Sequence, residues 1–157
     1  MTTTFSPNWA AIVRQAIAAG FAGAIVIDAY LWLATIVPAH GSLLAMWQWV
    51  ASAAIGPVAF SSGTFAWFGL LVHVIVSIGW AGGYAYFAQT QKFVSARWFV
   101  SGFVYGIIVY CFMLLLLLGA HAFVVPSGPL AILNAVLAHT LFFGVPVAYV
   151  VARMSRA

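Results

Sequence analysis

Near residues 15–37, 65–87, 98–119 and 130–152 the chain runs on apolar side chains for about the 20 residues that a helix rising about 1.5 Å per residue needs to cross a hydrocarbon core about 30 Å thick. Nothing else in the sequence constrains the fold as strongly. Lipid offers a backbone no hydrogen bonds, so the amides of each run must satisfy one another. The runs lack the strict alternation of barrel strands, which leaves helices. Only 4% of the 157 residues are charged and 66% are hydrophobic, against roughly a quarter charged in soluble domains. The sequence therefore predicts an all-α integral membrane protein, a four-helix bundle forming a single transmembrane domain over 1–157.

The few basic residues orient it. Arg14 precedes the first run, Lys92 and Arg97 separate the second from the third, and Arg153 and Arg156 follow the fourth. The connections 38–64 and 120–129 contain no Lys or Arg. Because Lys and Arg near short loops are retained on the cytoplasmic side, both termini are expected there. The net charge of +4 is thus spent on topology, and nucleic acid is not an expected partner. "MTTTFSPNWAAIVRQ" has no basic leader and no small-residue cleavage pattern, so the first run is read as a span and not as a signal peptide.

The connection 38–64 is too apolar for a solvated loop. In "SLLAMWQWVASAAIG" Leu43, Trp47, Val50 and Ala54 fall at helical spacing, and Gly56-Pro57 stops the pattern. A stretch near 42–55 of about 14 residues is too short to cross, and Trp favours headgroup depth, so a short interfacial helix between helices 1 and 2 is expected.

Asp28, within "GAIVIDAYLW", is the only acidic side chain in the sequence. Counted from the outer ends of their runs, Asp28, His73 and His139 all fall about 12–14 Å below the outer boundary of the core. Tyr110 and Cys111 occupy that level in the third run. A central Asp costs roughly 2.5–3.5 kcal/mol, whereas each Ile, Leu, Phe or Val returns about 0.3–0.6 kcal/mol, so about nine such residues barely offset it. Asp28 is therefore expected to face a partner across the bundle, either an imidazole or the Tyr110 hydroxyl. Small residues permit the approach: Gly102 and Gly106 form a GxxxG one turn from Tyr110, and Gly69 and Ser77 flank His73.

Three uses of an Asp28, His73, Tyr110 and His139 layer compete. It can be interhelical glue that sets register in a non-enzymatic scaffold or accessory subunit. It can hold a cofactor, with His73 and His139 as axial ligands of haem b, or with Asp28 as a 2-His-1-carboxylate set for a transition metal. It can also conduct protons or a small solute, since intramembrane Asp and His mark relays.

The remaining features read more plainly. His40 and His121 fall in the outer connections, where a solvated loop His is expected and metal capture by the pair is the alternative. Cys111 reads as an apolar filler, and Pro146 as a kink in the fourth helix. Trp9, Trp67 and Trp98 mark interfaces, and the deeper Trp32 and Trp80 read as core filling. Nothing assembles into paired carboxylates, a Ser/His/Asp set or a phosphate loop.

The ordered segments "AGFAGAIVIDAYL", "QWVASAAIGPVAFSSG", "GLLVHVIVSIGWAGGYAYFA", "GFVYGIIVYCFM" and "LAHTLFFGVPVAYVVAR" resemble a family of small bacterial inner-membrane proteins with four helices and no established activity. The resemblance covers roughly 20–154 and rests on Asp28, Ala51-Ser52, Gly56, His73, Tyr105-Gly106, Tyr110, Met113 and His139. It implies the fold and a location in the bacterial inner membrane, with lipid, other membrane subunits or further copies of the chain as partners. The family pattern has an Asn after the Met and a Pro late in the third helix. Here Leu114 and "LLLLGAH" stand instead.

Overall fold

The Asn8 side chain starts the first helix by accepting the Ala11 amide, and the computed structural model, which describes residues 6–119 and 127–156, is helical from there on, with no strand among the described residues. Helix α1 (Trp9–Leu31) runs on into a π turn (Trp32–Ile36). Helix α2 (Leu43–Ile55) is capped by Ser42, whose hydroxyl accepts the Leu44 amide. It ends at Gly56, whose φ of 69° lies in the left-handed region that a side chain disfavours. A 3-10 turn (Gly56–Phe60) follows, since Pro at an opening position loses no hydrogen bond. Helix α3 (Thr64–Thr90), the short α4 (Lys92–Ala96) and α5 (Trp98–Gly119) come next. The last helix is α6 (Pro129–His139), a π turn (Thr140–Gly144) and α7 (Val145–Met154) in series. Pro146 has no N–H to return to the preceding turn, and the backbone widens immediately before it.

Among the described residues five helical stretches are long and apolar enough to cross a membrane: Trp9–Ile36, Leu43–Phe60, Thr64–Thr90, Trp98–Gly119 and Pro129–Met154. The sequence leads one to expect four. The additional one arises because the 3-10 turn lengthens α2 beyond the 42–55 segment read from periodicity.

Helices α1 and α3 pack antiparallel at backbone contact. A Cβ on Gly20 would lie 2.6 Å from the Ile78 Cα, and the Asn8 amide donates to Gln89 Oε1 at 3.1 Å. Gln15 Nε2 donates to Ser155 Oγ at 3.0 Å, and Trp98 packs edge-on against Tyr149, so the starts of α1 and α5 meet the ends of α3 and α7. The five basic residues thereby collect at one end of the molecule. The core between the helices is built of Ala19, Ala81, Ala85, Val147, Ala148 and Val151, none of them accessible. The opposite surface is the reverse. Ile25, Leu33, Leu71, Ile75 and Leu115 are each more than half exposed, a continuous apolar coat that a soluble protein avoids and lipid demands.

Candidate functional site

Position 28 on α1 and position 73 on α3 are brought level by the same antiparallel packing that places Gly20 on Ile78. His73 Nε2 lies 3.2 Å from Asp28 Oδ1, and both side chains are about four-fifths covered, at 18% and 19% exposure. The sole carboxylate of the sequence therefore meets an imidazole from another helix. The contact is one of charge and distance: His73 Nε2 is enclosed yet has no aligned hydrogen-bond partner.

Tyr110 and His139 form a second pair, with ring centroids 5.6 Å apart and planes tilted by 58°. They meet because α5 has no side chain at the crossing one turn below. A Cβ on Gly106 would lie 2.5 Å from the Thr140 Cα, and one on Gly102 would lie 2.7 Å from the Gly144 carbonyl oxygen. The GxxxG read from the sequence is thus where α5 meets the π turn backbone to backbone. His139 Nδ1 sits 2.8 Å from the Ala135 carbonyl oxygen of its own helix. A carbonyl only accepts, so the proton resides on Nδ1, and Nε2 is left as the acceptor of the neutral ring.

The four expected residues thus gather as two pairs, Asp28 with His73 and Tyr110 with His139. Tyr110 is not the partner of Asp28. Among the described residues no three His, Cys, Asp or Glu side chains come together in a way that could hold a metal ion. Asp28 has its oxygen beside the His73 ring nitrogen. His40 stands exposed in the turn before α2, with a φ of 51°, and His121 lies outside the described residues. Cys111 faces outward and is exposed. Trp80 packs edge-on against Tyr105 and Phe112 as core filling should, whereas Trp32 is 46% exposed and fills no core.

Several polar contacts escape sequence reasoning. Tyr30 donates to Asn134 Oδ1 at 2.6 Å, and Asn134 Nδ2 donates to Thr35 Oγ1 at 2.9 Å, tying α1 and its π turn to α6. The Tyr30 ring stacks on Phe142 with centroids 3.9 Å apart. Toward the basic end, the buried Tyr84 hydroxyl meets Ser101 Oγ at 2.7 Å, and Tyr105 donates to the Trp80 carbonyl at 2.6 Å. Gln15 is buried, with its Oε1 unpaired. A lone Asn in an apolar run is the one signal that pointed to any of these.

Comparison of the chain with protein-family models, with curated proteins and with solved structures finds no match.

Proposed function

We propose that this chain is a non-enzymatic scaffold or accessory subunit of a bacterial inner membrane, and that its enclosed polar pairs fix the register of four membrane crossings. Both termini are placed in the cytoplasm, on the side where the basic residues collect. Helix α2 is assigned to the outer face despite its length, because of how it is connected. The Gly41 amide donates to the Ile36 carbonyl at 2.8 Å, so α2 begins beside the end of the first crossing. The Gln48 side chain donates to the Ala59 and Ser62 carbonyls, which holds α2 to the turns that lead into α3. A helix crossing a core about 30 Å thick would leave residues 37–42 to span a gap that exceeds their reach of about 20 Å.

The observation that carries the reading is the 3.2 Å contact between Asp28 and His73. The contact gives the carboxylate a polar neighbour where an isolated one would be costly, and it links neighbouring helices. Extraction in mild detergent followed by native mass measurement tests the proposal. Stoichiometric association with other membrane subunits, or a defined oligomer, is expected. A lone monodisperse monomer would count against it.

One observation favours a second reading, in which a haem or metal is held between His73 and His139. Each imidazole has one nitrogen facing an oxygen, Asp28 for His73 and the Ala135 carbonyl for His139. Ligand histidines commonly have a carboxylate or carbonyl beside one ring nitrogen and use the other for the ligand. An absorption spectrum with metal analysis of the purified protein decides it. A Soret band or bound metal lost in both His73→Ala and His139→Ala would replace the scaffold reading, and a colourless, metal-free protein would remove this one.

A further inference from the structure

At the basic end, between the first turn of α5 and the last turns of α7, Trp98, Tyr149, Ala152, Arg153 and Arg156 enclose a cleft of about 150 Å³. The positive-inside tendency accounts for arginine at this end of the chain, but not for two arginines lining one cleft beside paired aromatics. Arg153 Nε donates to the Tyr149 hydroxyl at 3.2 Å, and its guanidinium carbon lies 5.6 Å from the centre of the same ring. Trp98 braces Tyr149 edge-on at 5.3 Å. The side chain is thus held by one N–H beside the Tyr149 ring, and its terminal N–H groups are left for an acceptor. Arg156 makes no side-chain hydrogen bond among the described residues. No acidic side chain is available to neutralise either arginine, because the only one in the sequence, Asp28, is engaged with His73.

We propose that this cleft binds the phosphate of an anionic phospholipid headgroup. A phosphate ester supplies the acceptor oxygens and negative charge that the two arginines lack, and basic clefts between helices on the cytoplasmic side suit such headgroups. A lipid fits better than free phosphate because exposed apolar side chains follow Trp98 on the first turn of α5. Phe99 packs edge-on against Trp98, and Phe99 and Val100 are more than half exposed, giving an acyl chain a surface that a soluble anion would not use.

The test uses the purified full-length chain, incubated with equal amounts of phosphatidylglycerol and phosphatidylcholine of matched acyl chains, with retained lipid read by native mass spectrometry. Wild type is expected to retain phosphatidylglycerol preferentially. An arginine near an anionic surface contributes about a factor of five, so Arg153→Gln with Arg156→Gln should weaken retention roughly thirtyfold. Arg156→Gln alone leaves every described side-chain hydrogen bond intact and should weaken it about fivefold. Lys92→Gln, outside the cleft, should have no effect. Equal retention of the two lipids by wild type, or unchanged phosphatidylglycerol retention in the double variant, overturns the proposal. Displacement of the lipid by an equal concentration of inorganic phosphate assigns the cleft to a soluble anion and also overturns it.

Discussion

Replacing Gly106 by alanine adds one methyl group where α5 has no room for it. The new Cβ would stand 2.5 Å from the Thr140 Cα and 2.9 Å from the His139 carbonyl carbon, both backbone atoms that cannot rotate away. Carbon atoms pack best at about 3.5–4.0 Å, so the helices must separate by about 1 Å along this line. That withdrawal loosens the Gly102 and Gly144 contacts at the same crossing and moves His139 away from Tyr110. Overpacking of this kind costs about 1–3 kcal/mol, and rigid atoms on both sides place Gly106→Ala toward the upper end. Gly79 provides the control. A Cβ there meets nothing within 4 Å, so Gly79→Ala should only gain helix propensity, about 0.5–1 kcal/mol. Reversible unfolding in mixed micelles, followed by circular dichroism and tryptophan fluorescence, measures both. The two variants should move in opposite directions. If Gly106→Ala proves as stable as wild type, α5 does not cross the π turn at backbone contact, and the placement of Tyr110 beside His139 falls with it.

Three further outcomes are expected. A double-mutant cycle on Asp28→Asn and His73→Gln should return a coupling of about 0.6–1.7 kcal/mol, the range of polar contacts between membrane helices, and zero coupling would show that the pair does not join α1 to α3. Proteoliposomes carrying a pH-sensitive dye should leak protons at the same rate with wild type and Asp28→Asn; flux abolished by the variant would replace the scaffold reading with a proton relay. In a Cys111→Ser background, an impermeant maleimide should label a cysteine at Ser62 from outside the cell and one at Gln91 or Ser155 only after the cytoplasmic side is opened. Labelling of Ser62 and Ser155 from the same side would mean that α2 or another helix crosses differently.

How much of this could be read beforehand depended on whether one dimension was enough. The long apolar runs coincide with helices because length and hydrophobicity are properties of the segment alone. The meeting of Asp28 with His73 also followed from counting, since adjacent antiparallel helices of similar length bring positions equidistant from their shared end to one level. The two-residue GxxxG was legible for a related reason: absent side chains mark a close approach even when the partner is unknown. What failed was whatever depended on rotation and crossing angle. Tyr30 is two positions from Asp28 and therefore on a different face, and nothing local says that Asn134 and Thr35 will complete its network. Asp28 was offered Tyr110 as a partner by level, yet Tyr110 is turned toward His139 instead. The two π turns have no periodicity of their own, and the 3-10 turn that follows the Gly56-Pro57 stop of α2 left no signal in the spacing.

The polar contacts between helices differ in quality, and the difference says where function sits. In lipid the hydrophobic effect does not draw helices together, so small-residue packing and hydrogen bonds must do so. Tyr30 with Asn134, Tyr84 with Ser101 and Tyr105 with the Trp80 carbonyl are all short and aligned, at 2.6–2.7 Å, as expected of groups whose work is finished once the helices are in register. Asp28 with His73 is longer, at 3.2 Å, and the enclosed ring nitrogen finds no aligned acceptor. A carboxylate held beside its partner by distance without an aligned hydrogen bond is placed differently from the tyrosine hydroxyls, whose bonds are complete. Of these contacts between helices, Asp28 with His73 is therefore the one that can still tighten when a neighbouring subunit docks.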